Sequence, residues 1–396
     1  MEVHKCMIVL WISGLTWDLL DQVPGVALLR AQGAAVINLE PLPITGQKPQ
    51  AWQMISGRNP GGTGYFDSWM PQQYTMQPVA EPTVPMLHEV IAAADRMATY
   101  VNLALADVPL YLSGLEARVD CLVVRTVAGS DMVMLDQAIT AAQARVGTGG
   151  TFLLLSDHHE TAVKRYVNLN NGLRSLDVLE VSEQKIMRWE ETLAYHIGHG
   201  QLWINLQGRE PLGIVAYHEY DQTCQALITS LPRKLLDPQS GEPVIERVYR
   251  RNELYHGDYL FRAPDLVAVL RPGYAPSPNS VLLGFDDDVV GPAPVDTRTT
   301  AGLHPATVAG LAIAVGIPFA AGQVIAQAPL TSIAPTILHA LGLPIPMDIE
   351  AEVITDLFVP TFMQQFPIQR AEQRSGLSRE DEEEIITRLR GLGYLE

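Results

Sequence analysis

The sequence is short of cysteine, of basic residues and of long apolar runs, and each shortage excludes something. Three cysteines, Cys6, Cys121 and Cys224, lie far apart in a chain of 396 residues and are odd in number. That usage gives neither a disulfide framework nor a cysteine-built zinc site. Lysine and arginine number 27 against 44 acidic residues, a formal net charge of −17. Such a charge repels a phosphate backbone, so no nucleic-acid partner is expected. No stretch reaches the roughly 18 consecutive apolar residues of a spanning helix, and no membrane partner is expected either. The run Met7–Ile12 sits where a leader peptide would, but its basic flank is weak. Ser13, Gly14 and Asp18 follow it, with no small-x-small cleavage site. It reads as a first buried strand, and the protein as soluble and cytoplasmic.

What is present is a well-buried globular composition, 47% apolar and 18% charged. Short aliphatic runs at Met7–Ile12, Tyr100–Leu105, Cys121–Val127, Thr151–Leu155, Leu266–Leu270 and Leu311–Val315 read as strands buried on both faces, the mark of a parallel sheet. Helical patterns separate them at Asp18–Leu29, Gln50–Ile55, Met86–Arg96, Met132–Arg145 and Ser332–Leu341, the last stopping at Gly342 with Pro344 beyond. The alternation predicts an α/β fold with a doubly wound, mostly parallel sheet, whose sites lie at the carboxyl ends of strands. Residues from about 160 to 260 break the rhythm and read as an inserted cap within one α/β domain over 1–357. Residues 358–396 read as a polar, extended tail ending in a charged helix, Arg379–Arg390, capped by Ser378.

The sharpest local signal is Leu153-Leu-Leu-Ser-Asp157-His158-His159, where a hydrophobic strand delivers a carboxylate and an imidazole together at the sheet edge. Oxygen and imidazole suit zinc or manganese, so Asp157 and His158 can hold a divalent ion. A polar strand end closing in a turn fits the same residues. A second candidate is His304 in Gly302-Leu-His-Pro305, a loop histidine before the strand Leu311–Val315, with solvated surface as its plain alternative. His196 and His199 read as packing in the cap. His339 reads as a buried, hydrogen-bonded histidine, and Arg209–Glu210 as a turn-stabilising pair.

Taken in order, several segments resemble the type I phosphodiesterase and nucleotide pyrophosphatase branch of the alkaline phosphatase superfamily. They are Met7–Asp18, Pro49–Pro60, Gly64–Asp67, Ser156-Asp-His158, Val167–Asn170, Gly200–Gly213, Arg247–Arg251 with Tyr255-His-Gly257, Ala263–Leu266, His304, Ile333–Pro344 and Glu382–Tyr394. The resemblance implies an alkaline phosphatase-like fold and a site with two divalent metals that clamp a phosphate and activate the attacking group.

Carried over position by position, that site is degraded. Where the branch has a first-strand aspartate ligand, this sequence has Ser13, and Asp18 belongs to the following helix. The nucleophile position falls on Gln47 counted from Pro49, or on Thr45 counted from Pro43-Ile44. The branch's Asp-x-x-x-His motif finds Asp131 with Leu135 four residues on, and no histidine occurs between His88 and His158. Asp157, His158 and His304 survive as metal ligands, with His159 as an extra. Thr45 survives as the catalytic candidate. Two main readings stand on this count, with a small-anion or nucleotide-binding module that uses the old pocket without chemistry as a third. One is a degenerate, non-catalytic binding or scaffold protein whose partner is another protein or a small phosphate ester. The other is a metal-dependent phosphodiesterase using Thr45 with one or two zinc or manganese ions.

Overall fold

Every residue of the first strand, β1 (Met7–Ser13), is buried. Its side chains divide by parity, Met7, Val9 and Trp11 to one face and Ile8, Leu10 and Ile12 to the other, so both faces need a layer of cover. A computed structural model of the chain describes residues 6–43, 47–67, 69–82, 84–115, 119–129, 131–147, 149–277, 288–299 and 308–371. Within it β1 lies inside a seven-stranded sheet. The other strands are β2 (Gly33–Glu40), β3 (Ala98–Asn102), β4 (Cys121–Val127), β5 (Thr151–His158), β6 (Ala309–Val315) and β7 (Val324–Pro329). The spatial order is β7-β2-β6-β5-β1-β4-β3.

Helices Gln47–Ser56, Leu87–Ala93 and Ile333–Ala340 cover the Trp11 face through Met54, Ile91 and Ile337. Helices Val26–Gln32, Val108–Gly114 and Met132–Val146 cover the other through Leu29, Leu112 and Ile139. Each such apolar side chain removed from water contributes about 1.5–3 kcal/mol, which makes this two-sided layer the main source of stability. The mostly parallel, doubly wound sheet is as the sequence predicts.

Several expectations need correction. Leu311–Val315 lies in β6, which runs antiparallel to both β2 and β5. Full burial marks a central strand and does not fix its direction. Leu266–Leu270 is not in the central sheet at all. It belongs to a four-stranded antiparallel sheet with Ala194–Ile197, Gln201–Ile204 and Ile245–Arg250, which has its own core around Trp203, Leu227 and Leu231. The helix expected over Asp18–Leu29 is two helices, Trp17–Leu20 and Val26–Gln32, parted around Pro24-Gly25. The chain after Val359 is not simply extended. Pro360–Gln365 is helical, and Phe362 stacks on Phe358 at 5.5 Å. The expected terminal helix lies outside the described residues.

The second sheet meets the central one along a close seam. Asn59 caps the short helix Pro60–Thr63, its side-chain oxygen accepting from Gly61 N (2.9 Å) and from His256 N (3.2 Å). Its amide donates to Leu254 O at 3.0 Å. Gly61 lies so near this second segment that a Cβ there would stand 2.3 Å from the carbonyl oxygen of His256. Tyr255 reaches across to donate to Pro43 O at 2.7 Å. A hairpin, Trp69–Gln72 with Thr75–Pro78, inserts Tyr74 against Trp189 (3.6 Å between stacked rings), and its hydroxyl donates to Asn205 at 2.7 Å.

Gly61→Ala is therefore expected to cost about 1–3 kcal/mol, because backbone rather than a flexible side chain must give way. Urea unfolding checks this, and a parent-like midpoint would mean that the seam can open at Gly61.

Candidate functional site

Parallel pairing brings three strand ends to one edge. Met7 aligns with Cys121 on one side and Thr151 on the other, so Trp11 faces both Arg125 and Leu155. Two residues on, Ser13 is opposite Val127, and continuing the β5 register brings it beside Asp157. Gly14 N donates to His158 O at 3.1 Å, which closes the edge.

Asp157 and His158 are both buried here. The Trp11 indole N–H donates to Asp157 Oδ1 at 2.9 Å. Asp157 Oδ2 stands 3.0 Å from His158 Nδ1, an ion-pair contact outside hydrogen-bond alignment. Burial pushes the Asp157 carboxyl up, but His158, the indole N–H and the Arg125 charge outweigh it and hold the carboxyl below its ordinary range. Burial likewise opposes charge on His158, and the Asp157 carboxylate reverses that and raises the imidazole. The two groups thus hold each other's charged forms in a buried contact.

The structure brings together Asp157, His158 and Ser13, and it separates other candidates from them. Ser13 Oγ is buried without a hydrogen-bond partner. Asp131 is the N-cap of Met132–Val146, its Oδ1 accepting from Val133 N (2.9 Å) and Met134 N (3.1 Å), and this structural duty explains its place better than metal ligation. Asp18 is exposed in the first turn of its helix. His159 donates from Nδ1 to Ala309 O at 2.6 Å. Thr45 and His304 lie outside the described residues, as does the side chain of Gln47. Among the described residues no group of three or more His, Cys, Asp or Glu could hold a metal ion. The donors in view, one carboxylate already hydrogen-bonded and one imidazole paired with it, do not fit a two-metal centre.

Arg125 escaped the sequence reading. Its guanidinium lies 4.3 Å from the centroid of the Trp11 ring, half-buried on the same sheet face. A single charge within the otherwise uncharged strand Cys-Leu-Val-Val-Arg-Thr-Val was the available signal. In the second sheet, Arg209 has a stronger partner than the expected Glu210. It grips Asp265 through two hydrogen bonds, 2.9 and 2.7 Å, while Glu210 lies 3.1 Å from its Nε. His196 is buried and accepts from Gly200 N at 3.0 Å, so it is neutral, and burial depresses it to about 3. His339 packs edge-on against Phe358 and Phe362.

Residues 130–281 match the family model described as type I phosphodiesterase / nucleotide pyrophosphatase. Two solved structures of murine ectonucleotide pyrophosphatase / phosphodiesterase 5 are similar in fold. One aligns with a TM-score of 0.53 at 13% identity, covering 90% of this chain and 100% of that one. The other, an inactive variant in complex with AMP, aligns with a TM-score of 0.50 at 13% identity, covering 86% and 95%. No curated protein matches the sequence. The family match and the shared fold support the resemblance to this branch of the alkaline phosphatase superfamily, a branch of hydrolases. No helix among the described residues is long and apolar enough to cross a membrane.

The charged pair sets a pH window. Asp157, with its folded pKa lowered, stabilises above the unfolded carboxyl pKa, and that contribution is lost as pH falls through its folded value. His158, with its folded pKa raised, stabilises below the unfolded imidazole pKa and loses that contribution as pH rises through its folded value. The pair's contribution is therefore largest between about pH 4 and 6.5, and Asp157→Asn should remove both limbs from a plot of unfolding free energy against pH. His196 acts differently. Its depressed pKa costs stability only below the ordinary histidine range, by up to about 1.4 kcal/mol per pH unit. His196→Gln should flatten the acid limb alone, and an unchanged limb would mean that His196 charges without unfolding.

Proposed function

We propose that a chain with this fold, and with the family signature over residues 130–281, serves as a binding or scaffold protein and does not cleave phosphodiesters. One observation carries the reading. At the shared strand edge the first-strand position presents the neutral hydroxyl of Ser13, and the surviving carboxylate of Asp157 is already held by Trp11 and His158. A divalent ion needs anionic oxygen or neutral imidazole at several points, and the described residues supply too few. The site has kept its position in the fold and replaced metal contacts with contacts inside the chain. Its partner is another protein or a small phosphate ester.

The misaligned contact between Asp157 and His158 favours a second reading. Two polar atoms 3.0 Å apart without a formed hydrogen bond also suit a pair converging on one cation. In that case Asp157, His158 and His304 hold a single zinc or manganese ion and Thr45 attacks phosphorus. Asp157→Ala and His304→Ala would then each abolish turnover.

Elemental mass spectrometry after zinc or manganese loading and desalting separates the readings. Near-zero metal per chain, with no hydrolysis of bis-p-nitrophenyl phosphate, is expected. Ser13→Asp alone should not create hydrolysis. One bound ion with turnover would establish the second reading.

A further inference from the structure

The second sheet carries a cavity of its own. The helix Tyr220–Lys234 packs across strands Gln201–Ile204 and Ile245–Arg250, burying Cys224, Leu227 and Leu231. On its other side Gln222, Ala226, Ser230 and Lys234 recur at every fourth residue and line up as one row. Beside this row lies a cavity of about 460 Å³, lined by Leu227 of the helix and by Val178, Leu193 and Ile214 from the loops opposite. That volume falls within the range of small-molecule sites, and a mostly apolar wall with a few polar groups is their usual form.

The wall is fixed from behind. Leu193 N donates to Val178 O at 2.8 Å, and Ile214 N donates to Asn205 O at 2.9 Å. Asn205 is itself buried, and its amide donates to the carbonyls of Trp189 (2.8 Å) and Thr192 (2.9 Å). A ligand would therefore meet a preformed wall and would not have to order it, which lowers the cost of binding. On the helix side Ala226 is too short to fill the gap, and Leu193 is left 37% exposed.

The two ends of the cavity differ in charge. Thr223 and Lys234, which both line it, stand about 16 Å apart along the helix axis. At the first end Glu219 closes the helix start, its Oε2 accepting from Ala216 N at 3.1 Å. At the other end Lys234 makes no hydrogen bond or ion pair among the described residues, in a chain with 44 acidic residues against 27 basic. An ammonium on a long apolar stem can lie along such a wall and still meet an anion at its mouth. A carboxylate at one end and an uncommitted ammonium at the other give the cavity a direction.

We infer that this cavity binds an amphiphile with an apolar chain and a carboxylate head, the chain against Leu193, Ile214 and Leu227 and the head at Lys234. Burying the chain also takes Leu193 out of water, so the apolar contact supplies most of the affinity. The Lys234 contact is exposed and sets orientation and head-group preference more than strength. None of the lining residues belongs to the central sheet or its edge. The inference thus goes beyond the binding reading given above and does not rest on it.

The test is titration calorimetry of the full chain with decanoate, below the concentration at which it forms micelles, in excess chelator. One saturable site per chain is expected. Decyltrimethylammonium, with the same chain and a cationic head, should bind about fivefold more weakly or worse, and butyrate should give no measurable heat. Lys234→Glu should weaken decanoate about fivefold or more, since reversal replaces attraction with repulsion, and should favour the cationic head. Ala226→Trp, at an exposed helix position, should fill the cavity and abolish binding of both. Circular dichroism checks that each variant keeps its helix content, and Lys234→Glu judges the site alone if Ala226→Trp misfolds. Uptake of many decanoate molecules without saturation, equal affinity for the two heads in the parent, or parent-like affinity in either folded variant would overturn the site. Metal uptake or diester turnover would bear on the Asp157 edge and leave these titrations standing.

Discussion

Because Met7 pairs in step with Cys121 and with Thr151, three strands reach the same edge at the same height, and the candidate functional site depends on that alignment. Side chains on a strand alternate faces, so a slip of one residue would send Trp11, Arg125 and Asp157 to opposite sides of the sheet. The register is held from both faces by apolar cover that only one pairing can satisfy. The edge is thus specified by burial far from it, and its chemistry can change without loss of the fold.

The charges at the edge are arranged as a short relay. His158 and Arg125 flank Asp157, one in contact and one across the indole of Trp11. A buried carboxylate would be too costly to keep ionised by itself, and cationic neighbours are what permit it. Here His158 and Arg125 supply that compensation, at the price of fixing the side chains involved.

Much of the fold was legible because long aliphatic runs in alternation with helices leave few architectures. Strand direction was less so. Burial pattern is blind to polarity, which is why β6 passed for a parallel strand. β2 was overlooked because Gly33 follows the helix Val26–Gln32 with no loop between them. β7 was overlooked because an edge strand with exposed Val324 and Gln327, ending at Pro329, has little apolar signal. At the site, Asp157 and His158 were readable from a polar pair ending an apolar strand. Arg125 and Trp11 were not, since their meaning lies in being neighbours across strands 114 residues apart in sequence. Asp131 shows the converse error, where a ligand-like residue type serves the adjacent backbone.

The Asn59 seam has a different sensitivity from the edge it adjoins. Its bonds run between an uncharged amide and peptide groups of Gly61, Leu254 and His256, and none of those groups titrates or is screened by salt. The two sheets should therefore stay docked through acid and salt conditions that discharge Asp157. A discharged edge would then persist inside an intact frame, so that loss of charge at the edge and loss of structure become separable events in this molecule.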